Sequence, residues 1–359
     1  MFNPSRLSLA RTRCKMSGKD LAEKTGLTAV TVSRLEKGIN EPSEESLRKI
    51  ANALGYPTSF FYGDDLDAIP TEAISFRSLK RMSAKERDAA IGAGLLGVLL
   101  SDWVDERFNL PEIDLIDLGQ ESNPEVAARS LRQHWGLGEQ PIPNMVKLLE
   151  AKGIRVFSLA EDTRSVDAFS FWRDNQAYVF LNNFKTPERS VFDAAHELGH
   201  LVMHRHGGAN HSNATEHEAN QFASAFLMPE HDVLARRTRQ ITTDGIIKMK
   251  SRWRVSAMAM AYRLHALKLI SDWQYHAFCI ELGRRGYRTG EPIGIKRETS
   301  VVWNKVFSQL WSEKVTKQEV ADELSIPLVE LENIVFGLFS ATSAVPYNAE
   351  KSKFLQAVR

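Results

Sequence analysis

The stretch that decides the fold is 193–204, "DAAHELGHLVMH". Read as a helix, it sets His196 and His200 one turn apart on a single face, where both imidazoles can converge on one ion. Glu197 lies beside them and can reach a water on that ion without being a ligand. A histidine-rich surface helix is the competing reading, because His204, His206, His211, His217 and His231 crowd the same region. A catalytic zinc takes three protein ligands and keeps one position open, so the decision rests on what lies nearby.

The segment "ATEHEANQFASAFLMPE" (214–230) follows. Its pattern and Pro229 mark a second helix, with Phe222, Ala223, Phe226 and Leu227 on the buried side. Glu216 and Asn220 share one stripe of it. The expected metal site is therefore His196, His200 and Glu216, with Glu197 moving protons and Asn220 orienting a ligating histidine. Glu218 stands in reserve. His206 competes as third ligand through the six-residue spacing from His200 that metzincins use, but Met203 occupies the glycine position of that pattern and no methionine-turn signature is evident.

Ahead of the histidine helix, "IRVFSLA" (154–160), "VDAFSFW" (166–172) and "QAYVFLN" (176–182) read as strands, the last two joined by the turn "RDN". The strand "QAYVFLNN" is expected at the sheet edge, where a substrate backbone can be laid against it. In this order, strand, HELGH helix and E-x-E-A-N-x-F-A helix ending in "LMP", residues 140–235 resemble the ImmA/IrrE family of gluzincin-like metallopeptidases. The resemblance implies a zincin-like domain, a Zn2+ cofactor and peptide-bond hydrolysis. Zinc would polarise a water while Glu197 takes its proton and passes it to the leaving amine. Tyr178, His204 and His265 are candidates for a second oxyanion donor, each better suited to a structural place. Relatives are implied to cleave a DNA-binding repressor, some in response to DNA damage or single-stranded DNA.

A second theme occupies the first 62 residues. "LAEKTGLTAVTVSRLEKG" (21–38) and "PSEESLRKIANALG" (42–55) read as short capped helices. Two helices joined by a tight glycine turn make a helix-turn-helix. Ala22, Leu27, Val32 and Leu35 face inward, leaving Ala29, Val30, Ser33 and Arg34 where base edges are read. Lys19 and Lys37 are placed for phosphates, and Thr28 offers a backbone amide at a helix N-terminus. The segment resembles the Xre, lambda-repressor-like DNA-binding domain. That resemblance implies double-stranded operator DNA as partner and a homodimer on paired half-sites. A protein-binding helical bundle is the alternative; Arg6, Arg11, Arg13, Lys15, Lys19 and Lys24 against Asp20 and Glu23 favour nucleic acid.

Between the two, "YGDDLDAIPTEAISFRS" (62–78) reads as a boundary, and Ser83 with Glu86 forms a capping box for a long helix over 83–108. Beyond 240 the pattern is helical. Met258, Met260, Tyr262 and Leu264 read as core, and Arg284, Arg285 and Arg288 as a solvated loop. Residues 319–337 align without gaps on 20–38: Ala321 matches Ala22, Ile326 Leu27, Leu331 Val32 and Ile334 Leu35. On its outer face Glu330 and Glu332 would repel phosphate, so this echo reads as a docking or dimer module.

The chain has 359 residues, too many for one ordinary core, and a net charge of +1. Nucleic-acid affinity must then come from a local patch. Two cysteines exclude a disulfide framework. No secretory h-region or membrane-spanning run is present, so a cytoplasmic, nucleoid-associated protein without a membrane partner is expected. The expected class is mainly α with a small β-sheet (α+β). Its expected divisions are a DNA-binding domain at 1–65, a helical linker at 66–138, a peptidase domain at 139–240 and a helical C-terminal region at 241–359. Together these point to a transcriptional regulator, a repressor, whose zinc peptidase cleaves a partner regulator or itself near 63–82. Single-stranded DNA or a protein is the expected trigger. One alternative is a regulator whose zinc domain senses a ligand or partner without cutting. Another is a constitutive peptidase that uses the small domain to find protein substrates.

Overall fold

Residues 1–66, 69, 75–76, 83–159, 168–182, 184–205 and 213–335 are described by the computed structural model. The N-terminal unit is α1 (Pro4–Arg13), α2 (Gly18–Thr25), α3 (Ala29–Glu36), α4 (Glu44–Leu54) and a short 3-10 turn at Thr58–Tyr62. Its ends follow from side-chain chemistry. Ser17 and Asp20 close a capping box, while Thr28 and Ser43 each accept an amide of the following first turn. Gly26, at φ 72°, takes the left-handed conformation that stops α2 and makes the tight turn possible. Leu21, Ala22, Val32, Leu35 and Ile50 form the small core.

The helix α5 (Ala84–Asp105), capped by the Ser83–Glu86 box as expected, runs on to the sheet. Its glycines allow close approach on two sides. Gly92 abuts Leu9 and Arg13 of α1, and a Cβ placed on Gly97 would lie 2.6 Å from the Phe180 ring. The apolar run at 89–100 is thus a packing surface between the N-terminal unit and the sheet. No helix among the described residues is long and apolar enough to cross a membrane.

After α6 (Pro124–His134) and α7 (Met145–Ala151) comes most of the sheet. Its strands are β1 (Ser75–Phe76), β2 (Arg155–Leu159), β3 (Ala168–Arg173) and β4 (Gln176–Asn182), in the order β1-β3-β4-β2. A two-residue turn with Asp174 at φ 53° joins the β3–β4 hairpin. The expectation that β4 is an edge strand is overturned: it lies between antiparallel β3 and parallel β2. Residues 177–182 are all buried, and a strand covered on both faces belongs inside a sheet. Beyond β3 the short β1 pairs antiparallel, Ser75 opposite Ser170 and Phe76 opposite Phe169, so β1 and β2 are the edge strands.

Alternation divides β3 between two faces. Phe169 and Phe171 join Phe157, Tyr178 and Phe180 in an aromatic stack with ring centroids 4.6–5.1 Å apart along its closest pairs. Ser170 and Trp172 face the other way, onto α8 (Pro187–Met203). Against α8 packs α9 (Asn213–Leu227), where Phe222, Ala223, Phe226 and Leu227 are buried as expected.

The remainder is α10 (Glu230–Ala235), α11 (Thr243–Trp253), α12 (Ala257–Ala266), α13 (Asp272–Arg284), α14 (Val301–Ser312), α15 (Lys317–Glu323) and α16 (Leu328–Val335). Two buried carboxylates fasten it. Glu298 accepts the amides of Met145 and Val146 at the start of α7; Glu150 accepts those of Val301 and Val302 at the start of α14, and Ser300 also donates to it.

The helices α15 and α16 pack as the sequence echo predicts, with Ala321, Ile326, Leu331 and Ile334 buried. Glu330 departs from the expected outer face. It turns onto the N-terminal unit, 3.0 Å from the Arg13 guanidinium, and accepts from the Tyr56 hydroxyl. Glu323 accepts from Trp103 and Arg107, and Ser158 of β2 donates to the carbonyls of Asn333 and Ile334. This module docks the N-terminal unit to the sheet.

Candidate metal centre and nucleic-acid face

Three side chains meet between α8 and α9. The Nε2 atoms of His196 and His200 lie 3.1 Å apart, and the Glu216 carboxylate oxygens are 3.3 and 3.4 Å from them. Both rings are buried. Burial alone would raise the Glu216 carboxyl, but hydrogen bonds from the two histidines outweigh it and hold the group well below the usual carboxylate range. Two ligands at 2.0–2.1 Å on a tetrahedral zinc stand about 3.3–3.5 Å from each other. The two histidine–glutamate separations fall on that figure and the 3.1 Å between the imidazoles is about 0.2 Å shorter, so the donor set suits such an ion.

Close helix packing brings Glu216 there. Gly199, between His196 and His200 on α8, faces Phe222 of α9, and a Cβ there would lie 2.9 Å from that ring. Among the described residues, His196, His200 and Glu216 are the cluster with metal-ligating convergence. His206 lies outside the described residues. The reserve ligand Glu218 goes elsewhere, to His204 at 3.0 Å.

Two contacts escaped the sequence reading. Glu197 is buried, and Ser170 Oγ of β3 donates to its Oε2 at 2.7 Å. The signal was a small polar residue inside "AFSFW", since a buried hydroxyl takes a partner. His204 is the other: its Nδ1 is 3.0 Å from Nδ1 of His200, and its Nε2 3.0 Å from the Glu218 carboxylate. His204 thus links the His200 ring to the Glu218 carboxylate in one chain of contacts. Asn220 was expected to steady a histidine; one turn after Glu216, its short amide instead donates to the Glu216 carbonyl at 2.8 Å and braces that turn of α9. Of the other oxyanion candidates, Tyr178 lies in the stack facing α5, where burial raises its phenol, with Ser101 as hydrogen-bond partner. His265 pairs with Asp272 in the C-terminal region.

On the N-terminal unit, Lys19, Thr28, Ala29, Val30, Ser33, Arg34 and Lys37 are all exposed, while Val32 and Leu35 are buried beneath them. Thr28 Oγ1 accepts from the Thr31 amide and caps α3. The basic residues counted for nucleic acid divide differently. Arg6 donates to the Asp64 carbonyl, Arg11 pairs with Glu36, Arg13 with Glu330, and Lys24 donates to the Ala53 carbonyl. Arg6, Arg11 and Lys24 fasten the unit together and Arg13 ties it to α16, so the face offered outward is narrower than the charge count implied.

A helix-turn-helix domain joined to a domain of peptidase type is the class these features define. Residues 149–265 match the model of a peptidase family described as IrrE N-terminal-like domain, and residues 7–61 that of a helix-turn-helix family. Two curated relatives, each an uncharacterized HTH-type transcriptional regulator, come from Sinorhizobium medicae and Rhizobium meliloti. Each is 38% identical over 60 residues, which is 17% of this chain and 43% of the relative's length. The chain thus carries an N-terminal helix-turn-helix domain and an IrrE N-terminal-like domain.

Proposed function

We propose that this protein is a DNA-binding transcriptional regulator, a repressor, whose zinc peptidase domain ends repression by cutting a regulator. The observation that carries the peptidase reading is the convergence of His196, His200 and Glu216 at separations of 3.1–3.4 Å beside Glu197. When bound there, zinc supplies a Lewis acid that polarises the scissile carbonyl and acidifies water. Glu197 takes the proton from the attacking water and gives it to the departing amine. Ser170 aims the Glu197 carboxylate, and the Glu218–His204 pair steadies the His200 ring. The DNA reading rests on the exposed outer side of α3.

A specific observation favours a substrate in the same chain. The segment joining the two domains supplies β1, which lies along β3 with Ser75 opposite Ser170. Added strands are how extended peptides dock on sheet edges, and this one is a single strand away from the serine that holds Glu197.

The test is elemental analysis of zinc on wild type, Glu216→Gln and Glu197→Gln, then incubation with double- and single-stranded DNA and a gel. One zinc per chain, lost in Glu216→Gln and kept in Glu197→Gln, with fragments that vanish in Glu197→Gln, supports the reading. Their masses place the cut. Zinc bound with no fragments on this chain or on a co-expressed regulator refutes proteolysis, and metal-free protein refutes the site.

A further inference from the structure

The segment between the two domains is held to the body at two described points. Ile69 is 7% exposed and fills the space that Gly94 leaves on α5. A Cβ on that glycine would lie 3.2 Å from Ile69 Cδ1 and 3.5 Å from the rings of Phe169 and Phe171. Further along the segment, β1 pairs antiparallel with β3, Ser75 opposite Ser170 and Phe76 opposite Phe169. The chain from Ile69 to Ser75 reaches at most about 20 Å when drawn straight. With Ile69 seated, β1 stays within that radius of its place on β3, at a local concentration on the order of millimolar.

We propose that β1 is a tethered inhibitor: the chain's own linker fills the place on β3 that an extended peptide from a second protein must take, and the site opens when β1 is displaced. The consequence for cleavage rests on the peptidase reading, whereas the strand contact does not. Distance decides which strand place is productive. Ser170 of β3 donates to Glu197 at 2.7 Å. A peptide in the place of β1 lies one strand spacing from β3, about 4.8 Å, while one added outside β1 lies about 10 Å away. The other side of β3 is closed by β4 over its whole length, from Ala168 opposite Leu181 to Arg173 opposite Gln176. An incoming backbone can therefore reach the serine that holds Glu197 by taking the place of β1. Among the described residues β1 pairs at two positions, so the tether rather than a long ladder keeps it there. Against a peptide with a dissociation constant of about 0.1 mM, a competitor held at about 1 mM weakens apparent affinity about tenfold.

The experiment is fluorescence anisotropy of a labelled synthetic peptide, "PTEAISFRSLKRM" (70–82), titrated with the full chain. All chains carry Glu197→Gln, so the peptide stays uncut and a failure of the peptidase reading leaves the result legible. The intact linker is compared with one in which residues 71–79 are replaced by glycine and serine at equal length. A milder variant, Ser75→Pro with Phe76→Pro, keeps the linker but removes both amide donors, and guards against a replacement that fails to fold. Both altered chains are expected to bind the peptide at least tenfold more tightly than the intact one. A peptide N-methylated at the Ser75 and Phe76 amides is expected to lose that gain, because a strand contact is made through the backbone. Equal affinity for intact and altered chains, whether tight or absent, or an N-methylated peptide that binds as well as its parent, would overturn the proposal.

Discussion

Gly199→Ala tests whether helix packing builds the metal centre. The added Cβ would lie 2.9 Å from Cδ1 of Phe222, and 3.2 and 3.3 Å from its Cγ and Cβ. Carbon contacts relax near 3.5–4.0 Å, so about 0.6–1 Å of retreat is required. Phe222 has no accessible surface, and the short contact to its own Cβ means that ring rotation alone does not relieve it. So α9 must move. Overpacking of this kind costs about 1–3 kcal/mol, which lowers Tm by about 2–4 °C for each kcal/mol in a protein of this size class. Glu216 moves with α9, while metal–ligand distances tolerate only about 0.2 Å. Zinc affinity, read by competition with a chromophoric chelator, is expected to fall at least tenfold, about 1.4 kcal/mol. Phe222→Leu in the same chain should return part of both losses, giving a non-additive double-mutant cycle. If Gly199→Ala bound zinc and melted like wild type, the link from glycine to ligand would be wrong.

Three further outcomes are expected. Ser170→Ala removes a buried hydrogen bond to a carboxylate, worth about 1.5–3 kcal/mol; peptide cleavage should drop about 10–100-fold with zinc content unchanged, and loss of zinc instead would place Ser170 outside this role. Lys37→Ala should weaken DNA binding evenly across sequences and reduce the slope of log affinity against log salt by about 1, whereas Arg34→Ala should relax preference at one base position; gel shifts at several salt concentrations separate the two. Burial pushes Glu150 up to about 7, so the folded state keeps a proton that the unfolded chain sheds near 4.5. Its contribution is whole below that value and is lost as pH rises towards 7, about 3 kcal/mol in all. Thermal melts of Glu150→Gln should lack this fall, and parallel curves for the two proteins would contradict it.

The legible parts of the sequence were those fixed by local chemistry. Ser17, Thr28, Ser43 and Ser83 announce their helices because a cap is read within four residues, and the stripes of α8 and α9 brought His196, His200 and Glu216 to one place. Strand order was different. "QAYVFLN" resembles an edge until it is noticed that nearly every residue is apolar, which an interior strand requires. Charge also misled, because Arg6, Arg11, Arg13 and Lys24 look alike in a count, and only the fold shows them spent on Asp64, Glu36, Glu330 and Ala53. Partners distant in sequence, such as Ser170 with Glu197, leave only a weak trace, a lone polar letter in an apolar run.

Because α16 grips Arg13 on one side and takes Ser158 hydroxyl bonds on the other, the DNA reader does not swing on its tether. In a pair of such chains the two readers would sit at a set distance and a set rotation. An operator read this way would have one helical phasing. Half-sites separated by whole turns of about 10 base pairs present the same groove to both readers, while five inserted base pairs turn the second site to the far side of the duplex. A loosely tethered reader would forgive that insertion; a docked one reads DNA as a ruler does.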